Sequence, residues 1–198
     1  MQPEALVPAN RLLLCACGSI GIAHIPTSVV NLQAICPNLE IEIVLSNSAQ
    51  RLVSMATFRA LTRRGVYVTW RDYRKGGTAH VDLSAWAELL LVMPATANVL
   101  GKAAHGIADD LLTSCLLAAT CPTIYVPSMN SAMWSKPVVQ RNVRRLRKDG
   151  AVVIDPVPGV QASTGAISLG SMAPLSQIIT SLACEARRTR LERDRATS

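Results

Sequence analysis

"RLLLCAC", residues 11–17, is where the fold is decided. One Arg opens the run, the rest is apolar, and Gly18-Ser19 closes it. A half-exposed strand would alternate polar and apolar side chains. A short continuous apolar run ended by turn residues reads instead as a strand buried on both faces and feeding a turn.

Working outward, the same unit recurs. Residues 19–36 have a helical pattern, with Pro26 predicting a kink or a late first turn. "LEIEIVL" (39–45) places Leu39, Ile41, Ile43 and Leu45 on one face of a strand. Ser46-Asn47-Ser48 is a polar loop able to cap a helix over roughly 49–64. "GVYVTW" (65–70) is a third strand, followed by a polar loop, "RDYRKGGTAH" (71–80). "ELLLVMPA" (88–95) is fully apolar, and helical sequence covers 98–119. "TIYVPS" (123–128) repeats the change from strand to loop. A helix at 137–148, "AVVID" (151–155), a Gly- and Pro-bearing loop (156–173) and a helix from about 174 complete the chain. Strand and helix alternate strictly, and most of the strands are continuous apolar runs. That predicts a single α/β domain over 1–198: a doubly wound, Rossmann-like (flavodoxin-like) three-layer sandwich around a parallel sheet. Residues 1–10 read as flexible.

The 198 residues suffice for one sizeable core, and no apolar stretch is long enough to predict a membrane span. The N-terminus lacks the form of a secretory signal, so a cytoplasmic protein is expected. Five of the six cysteines lie in or beside apolar runs, and Cys15-Ala-Cys17 has no answering pair, so buried reduced thiols are predicted and no metal site. The net charge of +7 is concentrated in 141–150 and 185–195. No aromatic residue is interleaved there, so these runs read as solvated helix faces and no nucleic-acid partner is expected. A mild positive field still favours anionic ligands.

In such a sheet the ligand sits outside the carboxyl ends of the strands. The loops there are 18–21, 46–48, 71–80, 94–98, 127–134 and 156–173, several rich in small polar residues. Neither GxGxxG nor GxxxxGK[ST] occurs. Physical reasoning alone therefore reaches an α/β domain that binds a phosphorylated ligand or cofactor.

Three segments carry a resemblance. His80 precedes a short amphipathic piece, a strand and "PATAN" (94–98); "PSMNSAMW" (127–134) has the form PxMNxxMW; "GSIG" (18–21) follows the first strand. Together they resemble the homo-oligomeric flavin-containing cysteine decarboxylases, over about residues 11–175. That family includes phosphopantothenoylcysteine decarboxylases and enzymes that modify the C-terminal Cys of lantibiotic and related peptides. The resemblance implies FMN as cofactor, with FAD as the alternative. It implies flavin contacts from Gly18, Ser19 and Ile20, from Ser46, Asn47 and Ser48, from Thr96, Ala97, Asn98 and Val99, and from Ser128. His80 matches the active-site base, and Asn130 matches the residue gripping the carboxylate of the substrate Cys. Met129 and Met133 either touch substrate or pack behind Asn130; Trp134 reads as packing. His24 and His105 read as ordinary loop histidines.

The chemistry suits these residue types. The substrate thiol loses a proton as the flavin takes a hydride equivalent, a task for histidine. The resulting thioaldehyde is an electron sink β to the carboxylate, so CO2 leaves. An Asn amide holds that carboxylate without stabilising it as an Arg ion pair would.

Segment 156–173 is implied to be a flap over the substrate. Phosphopantothenoylcysteine decarboxylases carry Ala-Cys-Gly there, whose thiol completes a reduction. Alignment on Met172-Ala173-Pro174 puts "STG" (163–165) at that place, with Thr164 where the Cys would be. A hydroxyl cannot do redox work. The expected reaction is thus oxidative decarboxylation of the C-terminal Cys of a ribosomal precursor peptide, stopping at the aminoenethiol that precedes an S-(2-aminovinyl)cysteine ring. The coenzyme A pathway enzyme is the alternative, and a non-catalytic flavin-binding regulatory subunit a further one. The resemblance also implies homo-oligomers, trimers commonly gathered into a dodecamer.

Overall fold

The structure is a computed structural model, and it describes residues 6–74, 76–160 and 165–196. Six parallel strands form the sheet: β1 (Arg11–Ala16), β2 (Glu40–Leu45), β3 (Val66–Tyr67), β4 (Leu89–Ala95), β5 (Thr123–Pro127) and β6 (Val152–Val153). Their order is β3-β2-β1-β4-β5-β6, so the chain reverses direction across the sheet between β1 and β4. That reversal opens a crevice at the carboxyl ends.

Alternate residues of one strand feed two cores, as the apolar runs require. Leu12, Leu14 and Ala16 of β1 pack with α1 (Ile25–Ile35), α2 (Met55–Thr62) and α8 (Leu175–Ala196). Leu13 and Cys15 pack with α3 (Ala79–Trp86), α4 (Ala97–Ala104), α5 (Leu111–Ala118) and α7 (Pro137–Lys148). The expected three layers are there. Each fully buried Leu or Ile contributes roughly 1.5–3 kcal/mol. Val7 and Ala9 are also buried, so this part of the first ten residues packs against the body rather than standing loose.

Several local expectations change. Residues Ile20–His24 form a 3-10 turn, and Pro26 sits in the first turn of α1, where its missing N–H costs nothing. The helix expected over 49–64 is broken: Ser46 Oγ accepts from the Ala49 N–H and caps a short turn, and Ser54 accepts from the Ala56 N–H to start α2 afresh. The helix expected over 98–119 is two, parted at Gly106 (φ +67), with Asp110 capping α5. "GVYVTW" yields only a two-residue strand, because the Asp72 carboxylate takes the Val68 and Thr69 N–H groups at 3.0 and 2.7 Å. The loop expected over 71–80 ends early, so His80 lies on the first turn of α3. Within segment 156–173, β7 (Val157–Val160) and β8 (Ile167–Ser171) pair antiparallel. Helix α7 has the predicted bounds, and its Arg141, Arg144, Arg145 and Lys148 are exposed.

All six cysteines are free thiols; Cys15, Cys17, Cys36 and Cys115 are buried, while Cys184 is exposed on α8, contrary to the expectation of burial. Burial pushes the Cys17 and Cys115 thiols up to about 12 and Cys15 well above its ordinary value. The thiolate is the nucleophile, so these groups are inert at neutral pH. Native alkylation at pH 8, read by intact mass, is expected to label Cys184 first and to spare Cys15, Cys17 and Cys115 until denaturant is added.

Candidate active site

A cleft of ≈ 750 Å³ opens at the carboxyl ends of β1 and β5, between the 3-10 turn, the 127–134 loop and strands β7 and β8. Ser19, Ile20, Ser128, Met129 and Asn130 all line it. Two hydrogen bonds hold its walls together. The Ser19 and Ser128 hydroxyls share one at 2.8 Å, tying the loop after β1 to the loop after β5. The Met129 N–H donates to the Gly170 carbonyl at 3.1 Å, docking the hairpin on the same loop.

Gly170 has φ +143, and a Cβ there would collide with the Met129 carbonyl oxygen. Backbone in that region costs a non-glycine residue of order 1–3 kcal/mol. Gly170→Ala is therefore expected to lower the melting temperature and to speed proteolysis within 157–171 relative to the rest of the chain. Unchanged cleavage of the hairpin would contradict the docking.

Asn130 is placed by its own backbone chemistry. Pro127 ends β5, and Asn130 N-caps the single-turn α6 (Ser131–Trp134), its Oδ1 accepting from the Met133 N–H at 2.8 Å. With Oδ1 committed, the exposed amide presents Nδ2 as a donor to the cleft. That is the polarity needed to hold a carboxylate. Trp134 is buried in the core beneath, so its expected packing role fits its position. Met129 is half-buried on the cleft wall, whereas Met133 is 44% exposed and lies outside the cleft lining.

The remaining predicted residues flank the cleft. Gly18 approaches the second loop so closely that a Cβ would stand 2.5 Å from Ser48 Cβ. Ser46 and Ser48 hydroxyls lie 3.2 Å apart, and Asn47 is exposed beside them. Thr96 caps α4, accepting from the Val99 N–H at 3.4 Å, with Ala97 half-buried and Asn98 exposed. The Val99 side chain is buried in the core, so only its backbone can reach a ligand. The loops after β1, β2, β4 and β5 thus form one hydroxyl-lined, closely approached ledge, which fits a phosphate- and polyol-bearing cofactor.

His80 stands apart. It does not line the cleft, and the helix that carries it, α3, packs against α5 and β1. Its Nδ1 is buried without a hydrogen-bond partner among the described residues. A buried polar atom so left costs about 1–3 kcal/mol and calls for an explanation. Thr164 and Ser163 lie outside the described residues. Reading the sequence missed His24, which lines the cleft; nothing in its spacing marked it.

A profile of the family described as "Flavoprotein" matches residues 2–186. Mersacidin decarboxylase of Bacillus sp. (strain HIL-Y85/54728) is 32% identical over 178 residues, covering 89% of this chain and 87% of the relative. The coenzyme A biosynthesis bifunctional protein of Bacillus subtilis is 41% identical over 154 residues, 77% of this chain, but the match spans 37% of that longer protein. Phosphopantothenoylcysteine decarboxylase of Mus musculus is 33% identical over 192 residues, covering 90% of this chain and 92% of the relative. Among solved structures, the FMN-dependent cysteine decarboxylase SpaF superposes with a TM-score of 0.81 at 41% identity, covering 92% of this chain and 99% of that one. With the profile spanning nearly all of its length, this chain belongs to the flavoprotein family that holds these cysteine decarboxylases.

Proposed function

We propose that this protein is an FMN-dependent peptidyl-cysteine decarboxylase: it oxidatively decarboxylates the C-terminal Cys of a ribosomally made precursor peptide to an aminoenethiol. The observation that carries this reading is the cleft itself, where Asn130 is oriented by its own N-cap bond to offer an amide N–H to a carboxylate. Gly18–Ile20, Ser46–Ser48, Thr96–Val99 and Ser128 are the proposed holders of FMN, through hydroxyls and loop N–H groups. FMN, when bound, supplies the two-electron acceptor that turns the Cys side chain into an electron sink for decarboxylation. His80 takes the thiol proton, which explains a ring nitrogen left unsatisfied by its own fold. Because one chain does not bring His80 to the Asn130 cleft, a homo-oligomer, a trimer as in the resemblance, is proposed to complete the site from neighbouring subunits. A cytoplasmic location goes with the proposal.

The branch rests on the flap. No cysteine occurs between Cys121 and Cys184, so the hairpin over the cleft carries no thiol. Without a flap thiol to assist it, the return of the two electrons from the reduced flavin to the enethiol is not expected, and the reaction stops there. The match to the mouse phosphopantothenoylcysteine decarboxylase along its length supports the coenzyme A pathway enzyme as the second reading. Mass spectrometry separates the two. A Cys-terminated peptide is expected to lose about 46 Da, CO2 plus two hydrogens passed to the flavin. No loss from any such peptide, with turnover of phosphopantothenoylcysteine instead, would overturn the first reading.

A further inference from the structure

The three histidines differ in what the fold has done with them. His105 is committed, its Nδ1 paired with the Gly101 carbonyl at 2.8 Å. His80 is treated above. His24 is exposed, and its ring has no hydrogen-bond partner among the described residues; only its backbone carbonyl is used, accepting from Ser28 Oγ at 3.0 Å. It is also the N-cap residue of α1 by position, yet its side chain does no capping.

What His24 faces is informative. It lines the same cleft as Ser128 and Asn130. From the 3-10 turn, the 127–134 loop, the hairpin and Met172–Leu175, every other described lining residue is apolar, Gly, Ser or Asn. No Asp, Glu, Lys, Arg, Cys or Tyr shares the lining among the described residues. Packed against the turn, β4 and α1 carry no charged residue, and the Arg59 guanidinium of α2 donates to the Val66 carbonyl. His24 is thus the one ionisable side chain among the described residues of a hydroxyl-rich cleft. It has no internal anion to pair with, in a chain of net charge +7.

We propose that His24 is a specificity-determining residue that binds an anionic oxygen of the molecule held in this cleft. Building on the function proposed above, that oxygen is a carboxylate of the Cys-terminated peptide; the phosphate of the flavin is the other source of the same chemistry. A ring N–H donor from His24 and the Asn130 amide then divide the work. Asn130 holds the group that leaves, and His24 supplies the charge-assisted hydrogen bond that selects an acidic ligand.

Calorimetric titration of flavin-loaded protein with a Cys-terminated peptide decides this without relying on turnover. The peptide is compared with its C-terminal amide and with a version lacking other carboxylates. His24→Ala and His24→Gln are expected to weaken binding of the acidic peptide about tenfold, with the melting temperature near that of the unmodified protein. His24→Lys is expected to restore binding. In parallel, flavin content and the affinity for FMN against riboflavin are measured. A loss of the preference for FMN, with peptide affinity intact, assigns the anion to the flavin phosphate and still supports the site. Unchanged peptide and FMN affinities in both His24→Ala and His24→Gln would overturn the proposal. Peptide binding without the mass loss would instead fail the decarboxylase reading and leave the His24 result readable.

Discussion

Replacing His80 by Asn is expected to leave a folded, yellow protein whose decarboxylation rate falls by about 10²–10⁴-fold, the usual contribution of a positioned general base. Asn keeps a polar side chain of similar reach on the first turn of α3 but cannot accept the thiol proton. The unsatisfied Nδ1 makes the outcome informative. If His80 were structural, relieving a buried unpaired nitrogen would raise stability or leave it unchanged without touching the rate. The measurements are flavin absorbance, melting temperature and the peptide mass assay. A rate within a few-fold of the unmodified enzyme would remove His80 from the chemistry. Mixing the His80→Asn protein with an Asn130 variant adds a test of geometry. Activity that returns in mixed oligomers means the two residues act from different subunits.

Asn130→Asp carries the second large effect. Asp is as good an N-cap as Asn, so the Met133 N–H keeps its acceptor and α6 keeps its start. The cleft, however, loses its amide donor and gains a negative charge where the proposed function seats a carboxylate. A fall of about 10²–10³-fold in kcat is expected, comparable to deleting one preorganised donor, with a rise in KM from like-charge repulsion. Asn130→Ala is the poorer test, because it also removes a cap worth about 1 kcal/mol. Normal turnover by the Asp variant, with unchanged stability, would show that Asn130 serves only its helix.

These two residues show how differently parts of the site could be read. Asn130 was legible because its position is set locally: a Pro-ended strand, an Asn, and a helix turn three residues on. His80 was assigned by resemblance, and its location was misjudged locally, since the loop before it closes early onto α3. The neighbouring Tyr73 hydroxyl donates to Asp82 at 3.0 Å, and Gly77 at φ +81 lets the chain pass against that carboxylate. His24 was dismissed because nothing in its neighbours along the chain distinguishes it from an ordinary loop histidine.

The sequence by itself determined the layers. Leu12 and Leu13, side by side in one apolar run, had to face opposite cores, and strands without a polar face had to be covered on both sides. It also determined where strands hand over to loops, since Gly18, Ser46 and Pro127 stop their strands through local backbone chemistry. Only the tertiary structure decided which loops meet. Ser19 and Ser128 are 109 residues apart in the chain and 2.8 Å apart in space, and that pairing follows from β1, β4 and β5 lying side by side. The hairpin over the cleft depends in the same way on the Gly170 carbonyl reaching the Met129 N–H. Periodicity records how one segment is buried, because burial is a property of its own faces. Strand order and loop contacts are properties of pairs of distant segments, and no single stretch of chain carries them.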